Sequence, residues 1–356
     1  REARRRNDAR SAAGMTAPPP SGCPPPWCGS LRGRIAALLG AAALLAGCAA
    51  AAPPASQPFA FALVGDAPYG AAAERRFAAL LRQIDADPSL RFVLHAGDLK
   101  GGSEPCTDAL LGRRVALLDS VRTALVYTPG DNDWTDCHRA AAGGHDPLER
   151  LDTLRRLAFP EPGRSLGRQP MSLETQAASA EHPAFAENAL FVHERVVFVS
   201  LHVVGSGNGL DPWRAAGPGA ARQAQRRAFA QRQAANLAWL EAAFARATAI
   251  DAIAVGVLMH ANPRFGQPPG EPRRAGFEAV IDGLRRAAAR FDGPVLLMHG
   301  DGHVFFVDRP LAEQAPRLRR VQSFGEPFTG WIRIEVDPAR GMVFSVTAGA
   351  PEPTPP

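Results

Sequence analysis

Residues 123–139 read TALVYTPGDNDWTDCHR. The apolar run Ala124-Leu125-Val126-Tyr127 predicts a buried strand. It stops at the turn residues Pro129-Gly130, and Asp131, Asn132, Asp133 and Asp136 follow. Carboxylates at the end of a buried strand are costly unless a cation meets them. The same design recurs three times. Phe59–Gly65 runs into Asp66, Phe92–Gly97 into Asp98, and Val295–Gly300 into Asp301 with His303 close behind. Open α/β sheets bind ligands beyond the carboxyl ends of their strands. Four strand-end Gly-Asp pairs therefore point to one shared site, rich in oxygen and imidazole donors.

The chain has 356 residues and a net charge of +5, but the excess is local. Residues 1–34 hold seven arginines against Glu2 and Asp8; removing them from totals of 40 and 35 leaves 33 basic and 33 acidic residues. A neutral body lacks the footprint of a nucleic-acid binder, and no such partner is expected. Arg32 and Arg34 precede the apolar run 35–46, the order of a secretory signal. Leu45-Ala46-Gly47-Cys48 resembles a bacterial lipobox, which implies cleavage before Cys48 and a lipid on its thiol. The expected organisation is a leader and lipoprotein signal at 1–47, a tether at 48–58, one domain at 59–348 and a disordered tail at 349–356. The expected location is the bacterial cell envelope, lipid-anchored to the membrane and facing the periplasm, with no protein partner. With the leader set aside, Cys106 and Cys137 remain as an even pair, a disulfide candidate tying two site loops together.

Helical spacing of Phe77, Leu80, Leu81 and Ile84 predicts a helix over 71–87. Leu110, Leu111, Val115 and Leu118 predict another within 104–121, so the first third alternates strand and helix and implies a parallel sheet. Asp146-Pro147 reads as the start of a helix ending at Leu157. Residues 160–188 read as a long excursion, 189–204 as a hairpin, 220–248 as a long helix, 252–259 as a strand ending at His260, and 276–291 as a helix. Strands dominate 295–347.

These spaced motifs resemble those of the calcineurin-like metallophosphoesterase superfamily. The counterparts are Gly65-Asp66-Ala-Pro-Tyr69, Gly97-Asp98, Gly130-Asp131-Asn132-Asp133, His260 and Gly300-Asp301-Gly302-His303, in the family's order. The resemblance implies an α/β fold in four layers, with two mixed β-sheets packed as a sandwich and flanked by helices. It also implies two divalent ions, manganese, iron or zinc, and hydrolysis of a phosphate mono- or diester by a metal-bridging hydroxide. The partner would be a small phosphorylated substrate. By the same resemblance Asp98 bridges the ions, Asp66 and His303 serve the first, and Asp131 or Asn132, His260 and Asp301 serve the second. Three departures stand out. Pro68 occupies the place of a ligand His, with Tyr69 as a substitute; the ungapped third motif makes Asp131 the ligand and puts Asn132 at the catalytic His; and Asp301 replaces a His. The leaving-group proton is then sought at His138, His202 or His299, and a phosphate contact at Arg139. Those departures also motivate an alternative, a non-catalytic member that binds metal or a phosphorylated ligand.

Overall fold

The computed structural model describes residues 56–213 and 219–349. The leader, Cys48, most of the tether and residues 350–356 lie outside them, and so do the expectations placed there.

Chain order explains the layers. Strand β1 (Phe59–Val64), helix α1 (Ala71–Ala86), β2 (Leu90–His95), α2 (Asp108–Asp119) and β3 (Ala124–Tyr127) build the first half, and α3 (Pro147–Ala158) follows. β1, β2 and β3 pair in parallel. β11 (Ile332–Val336) and β12 (Phe344–Ala348) complete a five-stranded mixed sheet, ordered β12-β11-β1-β2-β3, by antiparallel pairing on β1. The second sheet has seven strands. They are β4 (Glu174–Thr175), β5 (Ala189–His193), β6 (Val196–Ser200), β7 (Ala254–Leu258), β8 (Val295–His299), β9 (Phe306–Asp308) and β10 (Leu318–Gln322), in the order β4-β5-β6-β7-β8-β10-β9. A five-residue turn of helix, α4 (Gly205–Gly209), follows β6; α5 (Ala220–Ala249) and α6 (Glu278–Arg290) flank β7 in sequence. The α/β class and the two mixed sheets expected from the sequence are what the chain forms.

Side chains alternate across each strand, and here both faces are covered. In β1, Phe59, Phe61 and Leu63 enter the core shared by the two sheets, with Phe92, Phe198, Leu296 and Ile334. Ala60, Ala62 and Val64 face the other way and pack with Phe77, Leu80 and Ile84 of α1. On the far side, Leu240 and Phe244 of α5 and Ile281 and Leu284 of α6 cover Val197, Val255 and Leu297. A sheet buried on both faces reads as a continuous apolar run, which is why β7 and β8 show no alternation in sequence.

The helix sought within 104–121 begins at Asp108, because the Thr107 hydroxyl accepts from Leu110 N and caps it. Asp146 caps α3, with Pro147 at the first helical position. The excursion 160–188 contains β4, and Leu166 bridges Leu125 at the edge of β3.

Candidate metal centre

The strand ends of both sheets deliver acidic and imidazole groups to one place. Asp66 follows β1, Asp98 follows β2, Asp131 follows β3, His260 follows β7, and Asp301 and His303 follow β8. Asp66, Asp98, Asp301 and His303 all hold left-handed backbone, at φ 52°, 61°, 68° and 60°. Such conformations are uncommon outside glycine and persist where surrounding structure enforces them. The preceding glycines have a steric reason. A β-carbon on Gly130 would lie 2.0 Å from Asp98 Oδ1, and one on Gly300 would lie 2.2 Å from Asp66 Oδ2. The Gly-Asp pattern thus lets the backbone of one strand end pass directly against the carboxylate of another.

Asp66, Asp98 and His260 form one group whose donor atoms could hold a metal ion, and Asp131, His260 and Asp301 form a second. His260 Nε2 lies 3.1 Å from Asp131 Oδ1 and 3.5 Å from Asp98 Oδ1. His303 Nε2 lies 3.5 Å from Asp66 Oδ1. Both imidazoles are oriented from behind. His260 Nδ1 donates to the Ala96 carbonyl at 2.7 Å, and His303 Nδ1 donates to the Glu326 carbonyl at 2.7 Å. A carbonyl only accepts, so Nδ1 carries a proton, and Nε2 is the nitrogen turned to the carboxylates. That is the arrangement that prepares a histidine to ligate metal.

Burial pushes the Asp66 carboxyl up to about 7, with His260 and His303 pulling against it and Asp301 adding to it. Burial likewise lifts Asp98 well above the usual carboxylate range; His260 opposes, and Asp131, Asp133 and Asp66 reinforce it. His260 is driven the other way: burial would lower it, but Asp98, Asp131 and Asp66 raise it well above its ordinary value. Buried carboxylates in excess of cations are the chemistry that a divalent ion neutralises, so the donor set fits one.

Asn132 and Tyr69 sit between these groups. Asn132 Nδ2 donates to Asp98 Oδ2 at 2.6 Å and its backbone N to Asp98 Oδ1 at 3.0 Å. Tyr69 Oη donates to Asp98 Oδ2 at 2.7 Å and lies 3.4 Å from His303 Nε2. Burial, then the Asp98 and Asp66 charges, hold the phenol well above its usual range, so it stands here as a neutral donor in the place the sequence left without a histidine. Asp131 accepts from the Ser206 hydroxyl at 2.7 Å. Burial opposes its charge, yet the hydrogen bonds of His260 and Ser206 hold it below the usual range.

The structure does not bring His202 and His299 into this cluster. Both are fully buried. His202 Nδ1 pairs with Glu187 Oε1 at 2.7 Å, and burial lowers the ring to about 4. His299 Nδ1 contacts the Gly300 carbonyl at 2.9 Å, and burial lowers it to about 3. A fully enclosed imidazole cannot reach a leaving group in solvent contact. Arg139 keeps its place beside Asn132, since a β-carbon on Gly102 would meet both, but it already pairs with Asp136 Oδ2 at 2.6 Å. His138 is buried in the turn Thr135–His138.

Three residues here carried no assignment from sequence. Ser206 links Asp131 to Asp136, 2.9 Å from Asp136 Oδ1. Burial and the neighbouring Asp131 push Asp136 up to about 7. Asp133 is fully buried and accepts from the backbone N of Asp98, Leu99 and Gly130 and from Tyr127 Oη. The only sequence signal for Asp133 is its place in the Gly-Asp-Asn-Asp run.

Cys106 and Cys137 form the expected disulfide, with 5.7 Å between their α-carbons and 31 residues of separation. It ties the loop after Asp98 to the turn after Asp131. Replacing both cysteines by serine is expected to lower unfolding free energy by about 3–4 kcal/mol through a freer unfolded chain. Urea unfolding of the oxidised parent and the double variant measures this; coincident midpoints would remove the stabilising role.

No family model matches the chain, and no curated protein matches it. Solved structures do. GAP50, the anchor in the inner membrane complex of Plasmodium, is 11% identical, with 82% of this chain and 88% of that chain covered at a TM-score of 0.44. TT1561 of Thermus thermophilus is 10% identical, covering 82% of this chain and 99% of its own, at 0.40. A 5'-nucleotidase from Candida albicans is 10% identical, covering 82% of this chain and 50% of its own, at 0.38. At that identity and TM-score these likenesses name no family for the chain. What its own residues establish is a two-sheet α/β fold whose strand ends gather acidic and imidazole groups able to hold metal.

Proposed function

We propose that this protein is a metal-dependent phosphoesterase. The observation that supports this most is the pair of backbone-anchored imidazoles, His260 and His303, turning Nε2 toward the strand-end carboxylates of Asp66, Asp98 and Asp131. Asp66, Asp98 and His303, with Tyr69 beside them, would hold one divalent ion; Asp98, Asp131, His260 and Asp301 would hold a second. When bound, such ions supply Lewis-acid polarisation of a phosphoryl oxygen. The chain's own groups do the rest. Asn132, half-buried and hydrogen-bonded to Asp98, is placed to donate to a phosphoryl oxygen. Arg139, on the exposed side of the same turn, adds positive charge where the ester's anion arrives. Export fits the disulfide, since such bonds persist in oxidising compartments. Lipid attachment at Cys48 belongs to the same proposal; Cys48→Ser is then expected to leave the membrane fraction.

The test is direct. Protein loaded separately with manganese, zinc or iron is assayed on an aryl phosphate monoester and a bis-aryl diester. Turnover with at least one metal is expected. Full metal occupancy with no turnover on a broader ester panel would establish the non-catalytic alternative instead. Within the active protein, Asn132→Ala should keep its metal and lose about 10² to 10³ in kcat, the cost of one transition-state hydrogen bond. Loss of metal in Asn132→Ala with retention in Asp131→Ala would reverse the two roles.

A further inference from the structure

Away from the metal centre, a cavity of about 650 Å³ opens between α3, residues 181–185 and α5. None of its lining residues is a candidate ligand of the metal centre. Its apolar part is formed by Leu148, Leu151 and Phe185. Its polar part carries three arginines, Arg155, Arg227 and Arg232. The size and the mixture of an apolar floor with a few placed charges suit a small organic ligand.

One of these arginines lacks a close counter-ion. Glu187 is fully buried and pairs with Arg155 through both oxygens, at 2.6 and 3.1 Å. Burial opposes the Glu187 charge, but Arg155 and the His202 hydrogen bond outweigh it and hold the carboxyl at about 2. Glu187 is therefore an anion matched by one cation, with His202 neutral beside it. Arg232 is left over. It is 3% exposed, and among the described residues no carboxylate lies within ion-pair reach of it. Its Nη2 donates only to neutral oxygens, Asn208 O at 2.5 Å and Asn208 Oδ1 at 3.4 Å. Its Nε has no hydrogen-bond partner among the described residues. The guanidinium lies 5.2 Å over the ring of Trp134, which supports a cation but does not neutralise it. Burial pulls Arg232 down to about 10; Glu187 resists and Arg155 adds to the shift. A buried cation with no counter-ion is costly unless an anion arrives.

We propose that this cavity is a second ligand site, for an organic anion with one carboxylate or phosphate head on an apolar body. The head pairs with Arg232, and Arg227 stands exposed on the same helix to draw it in. The body lies against Leu148, Leu151 and Phe185, with the Arg155 guanidinium 5.3 Å from the Phe185 ring. Asp152 and Glu181 also stand exposed in the lining and disfavour a ligand with a second negative group. The site does not depend on the phosphoesterase reading, because it shares no residue with that centre.

Calorimetric titration of the full protein with 4-phenylbutyrate, 4-phenylbutylphosphonate and 4-phenylbutanol tests it. At least one acid should bind about tenfold or more tightly than the alcohol, the difference one charged hydrogen bond makes. Which acid binds more tightly identifies the head. Arg232→Met should abolish that preference. Ala228→Trp, which fills the cavity while leaving Arg232 in place, should block both acids and guards against a folding defect in the first variant. Asp98→Ala should leave binding intact. The proposal is overturned by absence of saturable acid binding, by equal binding of acid and alcohol, by unchanged binding in Ala228→Trp, or by loss of binding in Asp98→Ala, which would move the anion to the metal centre.

Discussion

Replacing Asp98 by alanine is expected to lower bound metal well below two ions per chain and to reduce turnover by about 10³ or more. The carboxylate is 2% exposed and uses both oxygens. Oδ1 faces His260 Nε2 at 3.5 Å, and Oδ2 meets Tyr69 Oη at 2.7 Å and Asn132 Nδ2 at 2.6 Å. His260 belongs both to the group of Asp66 and Asp98 and to the group of Asp131 and Asp301, and Asp98 lies directly against it. Elemental analysis after dialysis against each metal measures the loss, and circular dichroism confirms that the fold survives. Unchanged metal content in Asp98→Ala would end the assignment of Asp98 as the bridge. Unchanged turnover with lowered metal would instead detach the chemistry from the metal.

The parts of this centre legible in sequence are those written in backbone terms. A glycine before each strand-end aspartate marks where one chain passes close to another's carboxylate, and Gly130 and Gly300 show the contact itself. Strand ends can be read from where apolar runs stop, and so the ends of β1, β2, β3, β7 and β8 are legible in the sequence. In the third motif, Asp131 lies near His260 and Asn132 against Asp98. Side-chain direction was not legible in the same way. His202 and His299 both follow or end strands, yet each turns into packed structure, His202 onto Glu187 and His299 against Phe306 at 6.3 Å. A one-residue step along a strand changes the face, and an irregular stretch such as 201–204 hides that parity. Contacts across long separations were equally hidden: Asp301 N donates to Asp66 Oδ1 over 235 residues, and Ser206 reaches Asp131 over 75. Arg232 carries no signal of its own within the long helix read over 220–248, because its burial depends on Trp134 and Asn208 arriving from other parts of the chain.

Asp133→Ala is expected to be the most damaging single change to stability, costing about 4–6 kcal/mol, since it strands four buried donors that now share one carboxylate. Leu99 N donates to Oδ1 at 2.6 Å; Asp98 N at 3.0 Å, Gly130 N at 2.7 Å and Tyr127 Oη at 2.7 Å all donate to Oδ2. The side chain has no exposed surface, so water cannot replace it without opening the site. It joins the turn after β2 to the turn after β3, which are the turns that carry Asp98 and Asp131. Metal affinity should therefore fall with stability, although both Asp133 oxygens are already taken by these four donors. Asp133→Asn separates the two contributions. Its amide oxygen can take the place of Oδ2 and keep three donors, while its NH₂ opposes Leu99 N, so the loss should be about 1–3 kcal/mol. Urea unfolding of the metal-free proteins gives both values, and the order Ala, then Asn, then parent is the expected one. A parent-like unfolding curve for Asp133→Ala combined with lost turnover would mean that Asp133 acts on substrate rather than on the backbone, and the third motif would have to be read one residue later.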